Sequence, residues 1–174
     1  MSEKRLIVDG LIIRYNGIFD VQGLLEHIDK VCSQKGYTKN EKERIERVFS
    51  SGKELHMELR PSKKMTDYIS LMIKIKMDIT NLEELEVTRD KFKMAVNKGL
   101  VVMTFDAWTT TDYQGRWEQK PLFYFLRNIF ERFFYKFHTD KYVGTVDSDC
   151  HYIYYNLKAF LELHKFNSEE SALQ

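Results

Sequence analysis

Proline is nearly missing from this chain: two residues in 174, beside eight glycines. That composition excludes a linker-rich or disordered chain. Cysteine is as scarce, and Cys32 and Cys150 alone make neither a disulfide framework nor a zinc site. Two reduced thiols are the simplest reading. No stretch reaches the roughly 18 uncharged apolar residues of a membrane span, and the N-terminal MSEKRLIVDG lacks the apolar run of a signal peptide. Neither sign of charge dominates. Lys and Arg number 27 against 26 Asp and Glu, for a net charge of +1, so no global field points to nucleic acid or to an acidic substrate. The glycines stand singly at 10, 17, 23, 36, 52, 99, 115 and 144, which leaves no phosphate-cradling loop. These absences predict a soluble, cytoplasmic domain without a transmembrane segment, long enough for a single core.

Aromatic residues are abundant at 14%, and residues 121–137, PLFYFLRNIFERFFYKF, contain eight Phe or Tyr in seventeen. At about 100° per residue, Leu122, Phe123, Leu126, Phe130, Phe133, Phe134 and Phe137 share one arc of a predicted helix. Each Phe gains about 1.5–3 kcal/mol on leaving water, so this face needs a cover. The candidates are the protein's own sheet, an apolar ligand, a partner, or a lipid surface. Segment 116–142 carries six basic residues against three acidic ones, which fits an anionic surface and equally a solvated basic face.

Elsewhere the pattern alternates between two periods. Residues 5–16 are rich in β-branched side chains and read as a first strand. Asp20 is placed to cap a helix over 21–35, with Val21, Leu24, Leu25, Ile28, Val31 and Cys32 on one side and Gly36 as its stop. From 42 the period falls to two. Leu55, Met57 and Leu59 alternate with Glu54, His56, Glu58 and Arg60, and Pro61 with the SKK after it marks a turn. Residues 67–79 set Ile69, Leu71, Ile73, Ile75, Met77 and Ile79 against Tyr68, Ser70, Lys74, Lys76 and Asp78. A short strand near 84–89 turns through Arg89-Asp90 into 91–96. Asn97-Lys98-Gly99 reads as a hairpin turn, and the strand over 100–111 has both faces partly apolar. A final helix is predicted over 147–165, capped by Asp147 or Ser148. Its stripe is Val146, Cys150, Ile153, Leu157, Phe160, Leu161 and His164.

Strand, helix, a meander of strands joined by short turns, then C-terminal helices: this order predicts an α+β fold. It comprises an antiparallel sheet of about six to seven strands, one helix after the first strand, and one or two C-terminal helices on the sheet. A single domain covers 1–166, and NSEESALQ at 167–174 reads as a frayed tail. Over residues 4–137 this order resembles the START or Bet v1-like (SRPBCC) superfamily, the helix-grip fold. The stretch TTTDYQGRWEQKPLFYFLRNIFERFFY is also similar to uncharacterised archaeal proteins of that kind. The chain departs in having one helix between its first two strands, where members usually have two, and two C-terminal helices rather than one.

The resemblance implies a curved sheet gripping a C-terminal helix, with a cavity for a hydrophobic small molecule or lipid. The expected lining is Ile73, Phe105, Trp108, Leu126, Phe130, Phe133 and Phe134, and Tyr15, Tyr68 or Asp106 would orient the ligand. The alternative is a protein-interaction or self-association module, a homodimer or a membrane-surface binder, using the aromatic and basic C-terminal helices. No motif names a reaction, so the reading leans away from an enzyme. His56 lies between Glu54 and Glu58 on a polar strand face, where a cross-strand charge pair explains it without catalysis. Asp147, Asp149 and His151 form a short acidic and imidazole cluster, but on a helix Asp149 points about 200° away from Asp147. No metal and no cofactor are expected. Tyr152, Tyr154 and Tyr155 beside Lys158 are placed to stack bases, yet they also suit a core edge, and no nucleic-acid partner is expected.

Overall fold

The computed structural model describes residues 3–49, 52–89, 92–111 and 135–171. Among them lie six strands and two helices: β1 (Glu3–Phe19), α1 (Val21–Gln34), β2 (Glu41–Phe49), β3 (Gly52–Leu59), β4 (Ser62–Lys64), β5 (Ile69–Arg89), β6 (Phe92–Thr111) and α2 (Tyr135–Ser171). The fold is α+β. The strands form one open antiparallel sheet in the order β1-β6-β5-β3-β2, with β4 pairing to β5 beside the end of β3.

Alternation decides which face of this sheet is covered. Ile69, Leu71, Ile73, Ile75, Met77 and Ile79 of β5 are all buried, as are Val101, Met103, Phe105 and Ala107 of β6. Ile75 pairs with Phe105 and Met77 with Met103, so the two apolar sets share one face. Leu55, Met57 and Leu59 of β3 and Ile13 and Tyr15 of β1 extend it. On this inner face lies α2, whose buried stripe is Val146, Cys150, Ile153, Leu157 and Leu161, against β1, β6, β5 and α1. Helix α1 buries Leu24, Ile28, Val31 and Cys32. Asp20 caps it by accepting from the Gln22 N–H at 3.0 Å, and Gly36, at φ 77°, closes its far end.

β1 bends through two register shifts on either side of Val8. Gly10 sits there at φ 66°, and its N–H donates to Asp106 Oδ1 at 2.9 Å. The bulge thus takes a side-chain acceptor where the ladder supplies none.

Three expectations are corrected. Asn97-Lys98-Gly99 is no turn: β6 runs straight through it, and the hairpin closes where Arg89 pairs with Phe92. Gly99 answers a different need. β5 bulges at Asn81, φ 53°, and a Cβ on Gly99 would stand 3.1 Å from the Thr80 carbonyl oxygen. Residues 62–64, expected as a turn, form β4, and the carbonyl of Pro61 accepts from the Ile73 N–H at 3.0 Å. Neither Asp147 nor Ser148 caps a helix, because α2 begins at Tyr135 and passes through both. It runs on to Ser171, into the stretch expected to fray. The predicted Phe-rich helix lies outside the described residues except for 135–137, which form the start of α2.

Truncating the covered face should be costly: Met77→Ala is expected to lower stability by about 2–5 kcal/mol, read from the urea midpoint at unchanged slope. Lys76→Ala, its neighbour on the other face, should change it by less than about 0.5 kcal/mol.

Candidate functional site

The outer face of the sheet, away from α2, is built from the alternate residues, and its character changes along the strands. At one end the paired residues Leu6, Trp108 and Met72 make a short apolar row across β1, β6 and β5. Leu6 is 45% exposed, and Trp108 and Met72 are half-buried. Bordering this row, Lys74 Nζ stands 3.5 Å from Asp106 Oδ2 and 5.7 Å from the centre of the Trp108 ring. Asp106 therefore holds both the bulge at Gly10 and the ammonium over the indole.

At the other end of the face lies an open groove of about 360 Å³ across β2, β3 and β5. Glu43, Ile45 and Arg47 come from β2, Glu54 and His56 from β3, and Asp78 from β5. The pairing register puts Ile45, His56 and Asp78 in one cross-strand row. His56 Nδ1 meets Asp78 Oδ1 at 2.5 Å, with both side chains partly exposed. This contact fixes the imidazole's orientation. Among the lining residues the one hydroxyl is that of Thr80, so the groove offers an oriented imidazole and carboxylates without an activated nucleophile.

A second polar cluster lies on the inner side, where α1, β4 and α2 meet. Asp149 on α2 is buried, its side chain 8% exposed, and takes two ammonium groups: Lys35 Nζ at 3.3 Å and Lys63 Nζ at 3.6 Å. The Tyr37 hydroxyl donates to its Oδ2 at 3.3 Å. Burial, and then the Asp149 carboxylate, push the Tyr37 phenol well above its ordinary range, so it stays protonated and donating. Lys35 also lies over the Tyr152 ring at 4.2 Å. This cluster satisfies a buried charge and ties three elements together. Sequence reading missed it, although the signal was present: Asp149 falls three residues after Val146 and four before Ile153, on the buried stripe. Asp147 and His151 lie on another side of α2, with His151 Nδ1 3.5 Å from Asp147 Oδ1. Among the described residues no three His, Cys, Asp or Glu side chains converge as a metal site would need.

The residues expected to line a cavity are divided. Ile73 and Phe105 are fully buried on the inner face, where Phe105 meets Tyr154 edge-on with ring centres 5.7 Å apart. Trp108 belongs to the outer face. Leu126, Phe130, Phe133 and Phe134 lie outside the described residues. Of the expected orienting groups, Tyr15 is buried and donates to the Ile18 carbonyl at 2.8 Å, Asp106 is engaged as above, and Tyr68 is half-buried beside β4.

No family model matches the chain, and no curated protein matches it either. Among solved structures, an uncharacterised protein from Rhizobium leguminosarum is similar at 9% identity over 93% of this chain and 98% of that one, with a TM-score of 0.26. A likeness that slight carries no argument about fold or function.

Two outcomes test the inner cluster and its neighbouring thiols. Asp149→Asn removes the carboxylate from two lysines and a phenol, and should cost about 1–3 kcal/mol in denaturant unfolding. Burial, reinforced by Asp29 at Cys32 and by Asp147 at Cys150, pushes both thiols up to about 12. Their folded form resists ionisation that the unfolded chain undergoes from about pH 8.5. Stability is therefore fully retained below that pH and falls as pH rises towards 12, by about 1.4 kcal/mol per unit for each thiol. A Cys32→Ala/Cys150→Ala variant should show a flatter decline over pH 9–11.

Proposed function

We propose that this chain is a non-enzymatic binding domain for a hydrophobic small molecule or lipid with one polar group. The observation that carries the reading is the Leu6–Trp108–Met72 row with the Lys74–Asp106 pair at its border. Apolar surface with a single charged pair beside it suits an amphipathic molecule: burial of the tail supplies affinity, and the pair sets orientation. On the inner face Ile73 and Phe105 are fully buried, so the ligand is assigned to the face that carries Trp108. The helix-grip relationship is proposed for the fold alone, because the ligand is placed on the face opposite the helix. Its support is the layout: the first strand lies beside the last, the second strand is at the far edge, and a long C-terminal helix lies along the sheet.

A second reading, a self-association or protein-interaction module, draws on exposed apolar side chains away from that row. Val48 and Phe49 at the end of β2 are 73% and 48% exposed, and Tyr155 and Leu163 on α2 are also open to solvent.

Native mass spectrometry of freshly purified protein, paired with organic extraction, tests the binding function. The expected result is a stoichiometric apolar adduct that Trp108→Asp abolishes and Tyr155→Ala leaves in place. A wild-type protein of clean apo mass, or an adduct indifferent to Trp108→Asp, would overturn the proposal.

A further inference from the structure

Strand β2 ends the sheet with one of its edges unpaired in the described structure. Its sequence, EKERIERVF, is exposed at every residue except the half-buried Ile45. Charges on an edge strand ordinarily discourage pairing with another chain. These charges alternate in sign, however, and residues one and two positions to either side of Ile45 carry opposite charges. Glu43 and Arg47 stand two residues to either side, and Arg44 and Glu46 one residue to either side.

We infer that β2 pairs antiparallel with β2 of a second copy of this chain, about a two-fold axis through Ile45. In that register Ile45 faces the partner's Ile45. Glu43 faces the partner's Arg47, Arg44 faces the partner's Glu46, and the symmetry repeats both pairs. Neighbouring registers fail. A two-fold axis normal to the sheet keeps each side chain on its own face, so only shifts that put a residue opposite itself are allowed. One step either way sets Glu46 against Glu46 or Arg44 against Arg44 on the axis. Arg44 and Arg47 are exposed, and among the described residues neither makes an ion pair. The main-chain ladder supplies the attraction, and the charges select partner and register.

The join would make one continuous antiparallel sheet, β1-β6-β5-β3-β2 running into β2-β3-β5-β6-β1 of the partner. It also changes the outer groove. Glu43, Ile45 and Arg47 line that groove, so the two grooves would meet across the axis. Each would gain a wall from the partner's Arg47 and the partner's Glu43.

Sedimentation velocity across a dilution series tests the pairing. The wild-type chain should sediment as a dimer. Arg44→Glu sets like charges together and should raise the dissociation constant at least tenfold, and Arg44→Glu/Glu46→Arg should restore it. Ile45→Cys should give a disulfide-linked dimer on mild oxidation, whereas Val48→Cys, opposite the partner's Lys42, should not. The native cysteines are buried and do not compete. A wild-type monomer throughout, or a dimer that is unmoved by Arg44→Glu and fails to crosslink through Ile45→Cys, would overturn the inference.

Discussion

The two-residue period of β5 and β6, held in register over their length, is the constraint on which the rest of the molecule depends. Because Ile75 faces Phe105 and Met77 faces Met103, a slip of one residue in either strand would turn its isoleucine, leucine, methionine or phenylalanine side chains towards the charged face. The apolar face so created is too large to leave in water. Helix α2 lies on it and α1 packs against α2, and the stripes of both helices contribute Leu24, Ile28, Ile153 and Leu157 to the same core. The outer face is the by-product of that choice. It collects every alternate residue, and so Trp108 and Asp106 of β6, Lys74 and Asp78 of β5 and His56 of β3 come to share a surface across three strands.

Periodicity made this frame readable in advance. The alternation over 67–79, the stripe over 21–35 and the cap at Asp20 all appear where hydrophobic spacing and capping chemistry place them. Failures came where one residue type serves two needs. Asn-Lys-Gly satisfies a hairpin, but here Gly99 gives room to the Thr80 carbonyl beside a bulge, a demand that exists only once β5 and β6 are paired. Asp147 and Ser148 suit a helix cap, yet they lie inside α2, which passes through Gly144 with open space around that glycine. For an interior glycine the helical cost is about 1 kcal/mol, small beside the burial of Val146 and Cys150 that follows.

The candidate sites were less legible than the fold for a related reason. A strand's face can be read from its own sequence, but which strands share that face, and in which rows, depends on pairing partners far away in the chain. His56 was visible as a histidine between two glutamates. Its partner Asp78 belongs to another strand and emerges only from register. Asp149 shows the opposite case. Its place on an apolar stripe announces a buried charge needing partners, while Lys35, Lys63 and Tyr37 come from a helix end, a three-residue strand and the loop between α1 and β2.

Strand order also bears on how the chain reaches this state. β1 pairs with β6, Glu3 opposite Thr111 and Phe19 opposite Asn97, so the strand translated first finds its neighbour only after most of the sheet has emerged. At roughly 5–20 residues per second, β1 waits for seconds with Ile13, Tyr15 and Phe19 uncovered, while β5 and β6 can close locally as soon as both exist. The β2–β3 and β5–β6 pairings are both local, so either hairpin can close as soon as its own strands exist, whereas the β1–β6 pairing closes the longest loop in the sheet and is the slowest to find by chance.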